Sequence, residues 1–167
     1  MKYLSVIIMT ILSIYYLSCE SKNDDRERLS NILFPDLEIP YPLDCGKVIL
    51  ANGSNPDNLI MDSYKVNKAE FNADTLNIEV SYSGGCKEHE FCLVAWNYFL
   101  ESQPVQAYLF LSHSSNDDYC KASITSKLSI DMTPLKQDFF NQYGIRSDSI
   151  IVRILNPGER LNLKYKF

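Results

Sequence analysis

The stretch Leu76-Asn77-Ile78-Glu79-Val80-Ser81-Tyr82 alternates apolar and polar residues without a break. A period of two places Leu76, Ile78, Val80 and Tyr82 on one face of a strand and leaves the polar set to solvent. Upstream, Tyr64 to Phe71 alternates more weakly, and Asn72-Ala73-Asp74 between the two runs tolerates turn geometry, so the pair reads as a hairpin. Downstream, Gly84-Gly85 interrupts the pattern before Phe91 to Trp96, which has little polarity on either face and reads as a central strand. Val105 to Leu111 alternates again, and Ala122, Ile124, Leu128, Ile130 and Met132 mark another strand, with a bulge expected where the apolar spacing stretches. Ile150 to Leu155 and Leu161 to Phe167 close the series around Asn156-Pro157-Gly158.

One segment breaks the rule of two. Leu135, Phe139 and Tyr143 recur at helical spacing, Thr133 can cap such a helix, Pro134 suits its first position and Gly144 can end it. A short helix over about 134–143 among seven or eight strands makes the expected fold all-β, an immunoglobulin-like or related Greek-key β-sandwich. Eleven Tyr and eight Phe against six Gly and seven Pro suit a pleated, half-buried surface. With 46% hydrophobic and 22% charged residues, the 167-residue chain is neither disordered nor collagen-like. Its net charge of −5, with no basic block to displace phosphate counterions, argues against nucleic acid as a partner.

The N-terminus reads as an address. Lys2 precedes the uncharged run Leu4 to Leu17, which ends at Ser18-Cys19. That is the layout of a secretory signal, and the run of about 14 residues is short of the ~17–25 that cross a bilayer. Tyr16-Leu17-Ser18-Cys19 resembles the lipobox of bacterial lipoproteins, although Tyr16 stands where Leu is usual. The resemblance implies cleavage before Cys19 and lipid on it. The alternative is an ordinary secretory peptide with an incidental cysteine. The expected organisation is therefore a signal peptide at 1–18, a lipidated Cys and extended tether at 19–42, and a sandwich domain at 43–167. Glu20 to Arg28 is too polar and charged to pack, and Pro35, Pro40 and Pro42 then favour extended chain lying over the domain. An acidic stretch after the lipidated Cys resembles the surface-export signal of Bacteroidota lipoproteins, and a solvated linker looks the same. The expected place is the outer membrane or cell surface, reached through lipid, with an unknown protein or small molecule as partner.

Four cysteines remain, Cys45, Cys86, Cys92 and Cys120, an even number in a chain expected to meet an oxidising compartment. Both histidines of the chain stand near one of them. If Leu76 to Tyr82 runs up, Phe91 to Trp96 runs down and Val105 to Leu111 runs up again, so Cys86, His89, His113 and Cys120 converge at one end. Two chemistries fit. A Cys86–Cys120 disulfide would staple two loops across about 34 residues. A Cys86, His89, His113 and Cys120 ligand set would suit zinc as its cofactor, giving a metal-binding envelope protein. Pairing the first two cysteines leaves Cys45 and Cys92. Yet Cys45 precedes Lys47 to Ala51, which by alternation should start at the opposite end, so either the segment crosses the sheet or Cys92 is a buried free thiol.

Catalysis has weak support. Glu88, Glu90, Asp117 and Asp118 could orient a cysteine–histidine pair, but loop carboxylates are commonly only solvated charge. No phosphate-cradling loop or nucleophile elbow is present, and no methionine stands where a blue-copper site would want one. No catalytic residue is assigned, and the chain is not expected to be an enzyme. Gly84-Gly85-Cys86-Lys87-Glu88-His89-Glu90-Phe91, with Leu109 to His113 and Asp118-Tyr119-Cys120-Lys121-Ala122, resembles a pattern in small uncharacterised lipoproteins of Bacteroidota type. That resemblance carries no activity with it.

Overall fold

In the computed structural model, residues 44–51, 59–144, 148–156 and 158–167 are described; the expected signal peptide, Cys19 and tether lie outside them. The alternating runs become strands: β1 (Ile49–Ala51), β2 (Lys65–Asn72), β3 (Thr75–Gly84), β4 (Glu90–Leu100), β5 (Gln106–Ser114), β6 (Ala122–Asp131), β7 (Ser149–Asn156) and β8 (Glu159–Lys166). Helix α1 (Thr133–Tyr143) lies between β6 and β7. They form an all-β sandwich of a three-stranded sheet, order β2-β3-β6, and a five-stranded sheet, order β1-β4-β5-β7-β8.

The inward faces interlock as the period of two requires. Leu76, Ile78 and Val80 of β3 meet Leu93 and Ala95 of β4, Leu109 and Leu111 of β5, and Ile150, Val152 and Ile154 of β7 in one buried cluster. Cys92 and Val94, of opposite parity on β4, join Ile49, Ala51 and Leu59 in a second cluster on the other face of the five-stranded sheet. Having apolar groups against both faces explains why the β4 sequence lacked alternation.

The bulge expected in β6 is absent. Its pairing with β3 runs without a break from Thr75↔Asp131 to Gly84↔Ala122. Ser126 holds the inward position between Ile124 and Leu128, and its hydroxyl meets the Tyr82 hydroxyl at 3.0 Å, so a partnered polar residue looked like a lost register. Irregularities fall instead between Val66 and Lys68 and between Ala95 and Phe99.

Thr133 is not the helix cap either. Asp131 accepts the Thr133 N–H at 2.9 Å, and Gly144, at φ 68°, ends the helix by donating to the Phe140 carbonyl. A positive φ at this position is where glycine costs least.

The expected direction of the segment before β1 also needs correcting. β1 runs parallel to β4, pairing Ile49 with Val94 and Ala51 with Trp96. Just before it, Gly46 and Val48 hydrogen-bond through their backbones to Asp131 at the end of β6. The chain therefore crosses from one sheet to the other, and Cys45 comes to Cys92 with α-carbons 4.7 Å apart and the sulfurs bonded.

Candidate functional site

The strand directions deliver Cys86, His89, His113 and Cys120 to one end of the sandwich. Cys86 and Cys120 form a disulfide with α-carbons 5.8 Å apart. The alternative four-ligand zinc site does not fit this arrangement. Two sulfurs bonded to each other offer no thiolate, and the Cys86, Asp118 and Cys120 ligand atoms gathered within 4.8 Å are already engaged elsewhere.

Asp118, which the sequence offered only as loop charge, is the centre of this end. Its Oδ2 accepts the backbone N–H groups of Gly85 at 2.8 Å, Cys86 at 2.9 Å and Lys87 at 3.0 Å, while Oδ1 accepts that of Cys120 at 2.9 Å. The Cys120 N–H, then those of Lys87, Cys86 and Gly85, hold the Asp118 carboxyl well below the usual carboxylate range. Gly85 turns the chain at φ 114°, which aims successive amides at one anion. Lys87 Nζ donates to the Asn116 carbonyl, and Asn116 Nδ2 donates to the Glu88 carbonyl, each at 2.7 Å. The loops after β3 and β5 are thus one body, tied by a covalent bond, a carboxylate and two further hydrogen bonds.

His89 and His113 lie beneath it. The His89 Nε2 stands 3.4 Å from Asp118 Oδ2, with the two side chains only 1% and 0% exposed. His89 Nδ1 meets His113 Nε2 at 2.9 Å, and His113 Nδ1 meets the Asp62 carbonyl at 3.0 Å. Tyr82 stacks on His89 with centroids 4.4 Å apart, Phe91 stacks on His113 at 4.2 Å, and Tyr64 stands edge-on to His113. Burial lowers the pKa of His113; the Asp62 carbonyl opposes this and the neighbouring His89 charge adds to it.

Asp62 reaches the site because β7 pairs with β5 only as far as Phe110. Beyond that point Met61 bridges His113, with backbone bonds from Asp62 N–H to the His113 carbonyl and from His113 N–H to the Ile60 carbonyl, both 3.0 Å. The Asp62 carboxylate accepts the Ser115 N–H and hydroxyl. Burial raises its pKa, but Ser115 and the charges of His113 and His89 bring it below the ordinary value. No motif pointed to Asp62; the only signal would have been its place ahead of the hairpin.

Gly84 is present because nothing larger fits. A Cβ there would stand 2.5 Å from His89 Nε2 and 3.0 Å from Asp118 Oδ2. Gly84→Ala is expected to cost about 1–3 kcal/mol of stability, the usual range for overpacking. Denaturant unfolding measures it, and an unchanged midpoint would mean that His89 and Asp118 are not held against β3.

No family model matches this chain, and no curated protein matches it. Among solved structures it is similar to a protein of unknown function from Bacteroides vulgatus and to a NigD-like immunity protein from Bacteroides caccae, each at TM-score 0.50 and 16% identity over 72% of this chain. The chain spans 56% and 62% of the lengths of those two proteins. At that identity the likeness is one of fold. Both neighbours come from Bacteroides; one is described as a protein of unknown function and the other as a NigD-like immunity protein.

Proposed function

We propose that this chain is an exported, lipid-anchored sandwich of the bacterial cell envelope that acts by binding a partner or as structure rather than by catalysis. The observation that carries the reading is the pair of disulfides, Cys45–Cys92 and Cys86–Cys120, in a chain of ordinary domain size. Such bonds persist in oxidising compartments and are rare in the cytosol. The charged tip, uncharged run and Ser18-Cys19 ending supply the matching route of export. At the candidate site, the Asp118 and Asp62 carboxylates and both imidazoles are bonded to neighbours, with the two histidine side chains shielded by Tyr82 and Phe91. Such a cluster holds loops in one shape for recognition, because ordering cost already met in the free protein is not charged against affinity.

The test is metabolic labelling with a fatty acid, followed by membrane fractionation of the full chain and its Cys19→Ala variant. The expected result is label and membrane association in the natural chain and background label in the variant, since stable anchoring takes more than one acyl chain on that cysteine. A variant that still carries label and still pellets with membranes would refute the anchoring.

A further inference from the structure

We infer that His89 and His113 share three ring protons between them, forming one singly charged pair, and that this proton count is a pH-sensitive switch for the disulfide-tied loops at this end of the sandwich.

The argument is a count of hydrogens. A carbonyl oxygen only accepts, so His113 Nδ1 must carry a hydrogen to bond the Asp62 carbonyl at 3.0 Å. The Asp118 carboxylate, surrounded by four backbone N–H donors, also only accepts, so its approach to His89 Nε2 at 3.4 Å is attractive with a hydrogen on that nitrogen and repulsive with a lone pair there. The remaining contact, ring to ring at 2.9 Å, takes one hydrogen on either His89 Nδ1 or His113 Nε2. Three hydrogens on two imidazoles is one more than two neutral rings possess. The pair is therefore a cation, and Asp118 is its counter-ion.

Either neighbouring count breaks a contact. With two hydrogens, a lone pair faces the Asp118 oxygen, the Asp62 carbonyl or the other ring. With four, two N–H groups point at each other across 2.9 Å. Burial makes each mismatch costly, because no water replaces the lost partner. The lowered pKa of His113 agrees with resistance to the fourth hydrogen. A histidine held low in the fold contributes stability that is complete above its unfolded value of about 6.5 and is lost as pH falls from there through its lower folded value.

The surrounding charges set the window. Asp118 faces the pair from the loop after β5, and the Asp62 carboxylate acts on both rings from the segment before β2. Lys87 is turned to the Asn116 carbonyl, and Asp117 lies exposed beyond it. Glu90 follows His89, its pKa raised by burial and by Glu88. From β3 and β4 the pair meets the rings of Tyr82 and Phe91, and Tyr64 faces it from just ahead of β2 with its hydroxyl on the Leu111 carbonyl. Because Asp118 holds the amides of Gly85, Cys86 and Lys87, displacing it from His89 loosens the whole loop.

The chain has two histidines, so a sample labelled with nitrogen-15 in histidine shows four ring nitrogens. Nuclear magnetic resonance on the full chain, titrated over about pH 4–9, reads their protonation directly. The expected result is an interval with three protonated nitrogens and a scalar coupling between the two rings. Above that interval, amide exchange at Gly85 to Lys87, corrected for its intrinsic pH dependence, should quicken about tenfold, the size expected from losing a hydrogen bond to a charged group. Asp118→Asn is expected to lower the count to two over the same interval. Two protonated nitrogens throughout the folded range, with or without coupling between the rings, would overturn the inference, as would four. A count that stays at three in Asp118→Asn would overturn the role of the counter-ion, and unchanged amide exchange would overturn the switch.

Discussion

A Cys86→Ser/Cys120→Ser variant is expected to unfold with about 3–4 kcal/mol less free energy than the natural chain, the chain-entropy cost of opening a loop of this length. The two cysteines are 34 residues apart, and the chain between them contains β4 and β5, so the staple restricts two strands of the five-stranded sheet in the unfolded state. In the folded state the loss is contained. Asp118 still accepts amides on both sides of the former bond, and Lys87 and Asn116 still cross-link the loops. The variant should therefore keep its native fold at ambient temperature while its denaturation midpoint falls. Denaturant unfolding of the variant beside the natural chain, each with and without a dithiol reductant, separates the two contributions. A loss below about 1 kcal/mol would mean that the carboxylate clasp already closes this loop in the denatured chain. That outcome would shift the stabilising role from sulfur to Asp118.

Why the clasp escaped a sequence reading is a matter of what its bonds are made of. The hairpin of β2 and β3 was legible because side-chain alternation and hairpin register have the same period. The helix was legible because Leu135 and Phe139 recur at the spacing that buries one face. Convergence of the cysteines and histidines followed from counting strand directions, which holds even though β3 and β4 lie in different sheets. Sheet order was another matter. The parallel pairs β1–β4 and β5–β7 depend on where long connections return, and alternation looks the same for either neighbour. Asp118 binds backbone amides, which every residue but proline possesses, so no partner residue marks its role in the sequence. Asp62 bonds His113 through its backbone carbonyl, and a carbonyl leaves no signature at all.

The far end of the sandwich is where the largest single-residue effect is expected, at Phe139. Phe139→Ala should cost about 3–5 kcal/mol, the range for emptying an aromatic site in a core. Phe139 is 1% exposed and is the point at which α1 meets the sheets, with ring centroids 5.4 Å from Phe99, 5.1 Å from Tyr143 and 5.3 Å from Phe167. Those partners belong to β4, to the helix itself and to the residue after β8, so no single one can move in to fill the space. Leu135, one turn earlier on the same face, is also buried, so the helix is held chiefly by this apolar face. Neither an acidic residue in its first turn nor a basic one in its last complements its dipole. Its polar tie is Lys136 to Asp74, an oxygen of which also accepts the buried Tyr165 hydroxyl at 2.7 Å. Tyr165 and then Lys136 lower the Asp74 pKa, while burial and then Asp74 raise that of Tyr165, so the tie keeps a charged carboxylate beneath the helix. Tyr143→Ala is the control, since that ring stacks on Phe139 but is partly exposed and should cost less. Denaturant unfolding of both variants decides the matter. A loss at Phe139 no larger than that at Tyr143 would mean that the site closes up on truncation and that Phe139 is not the centre of the apolar face.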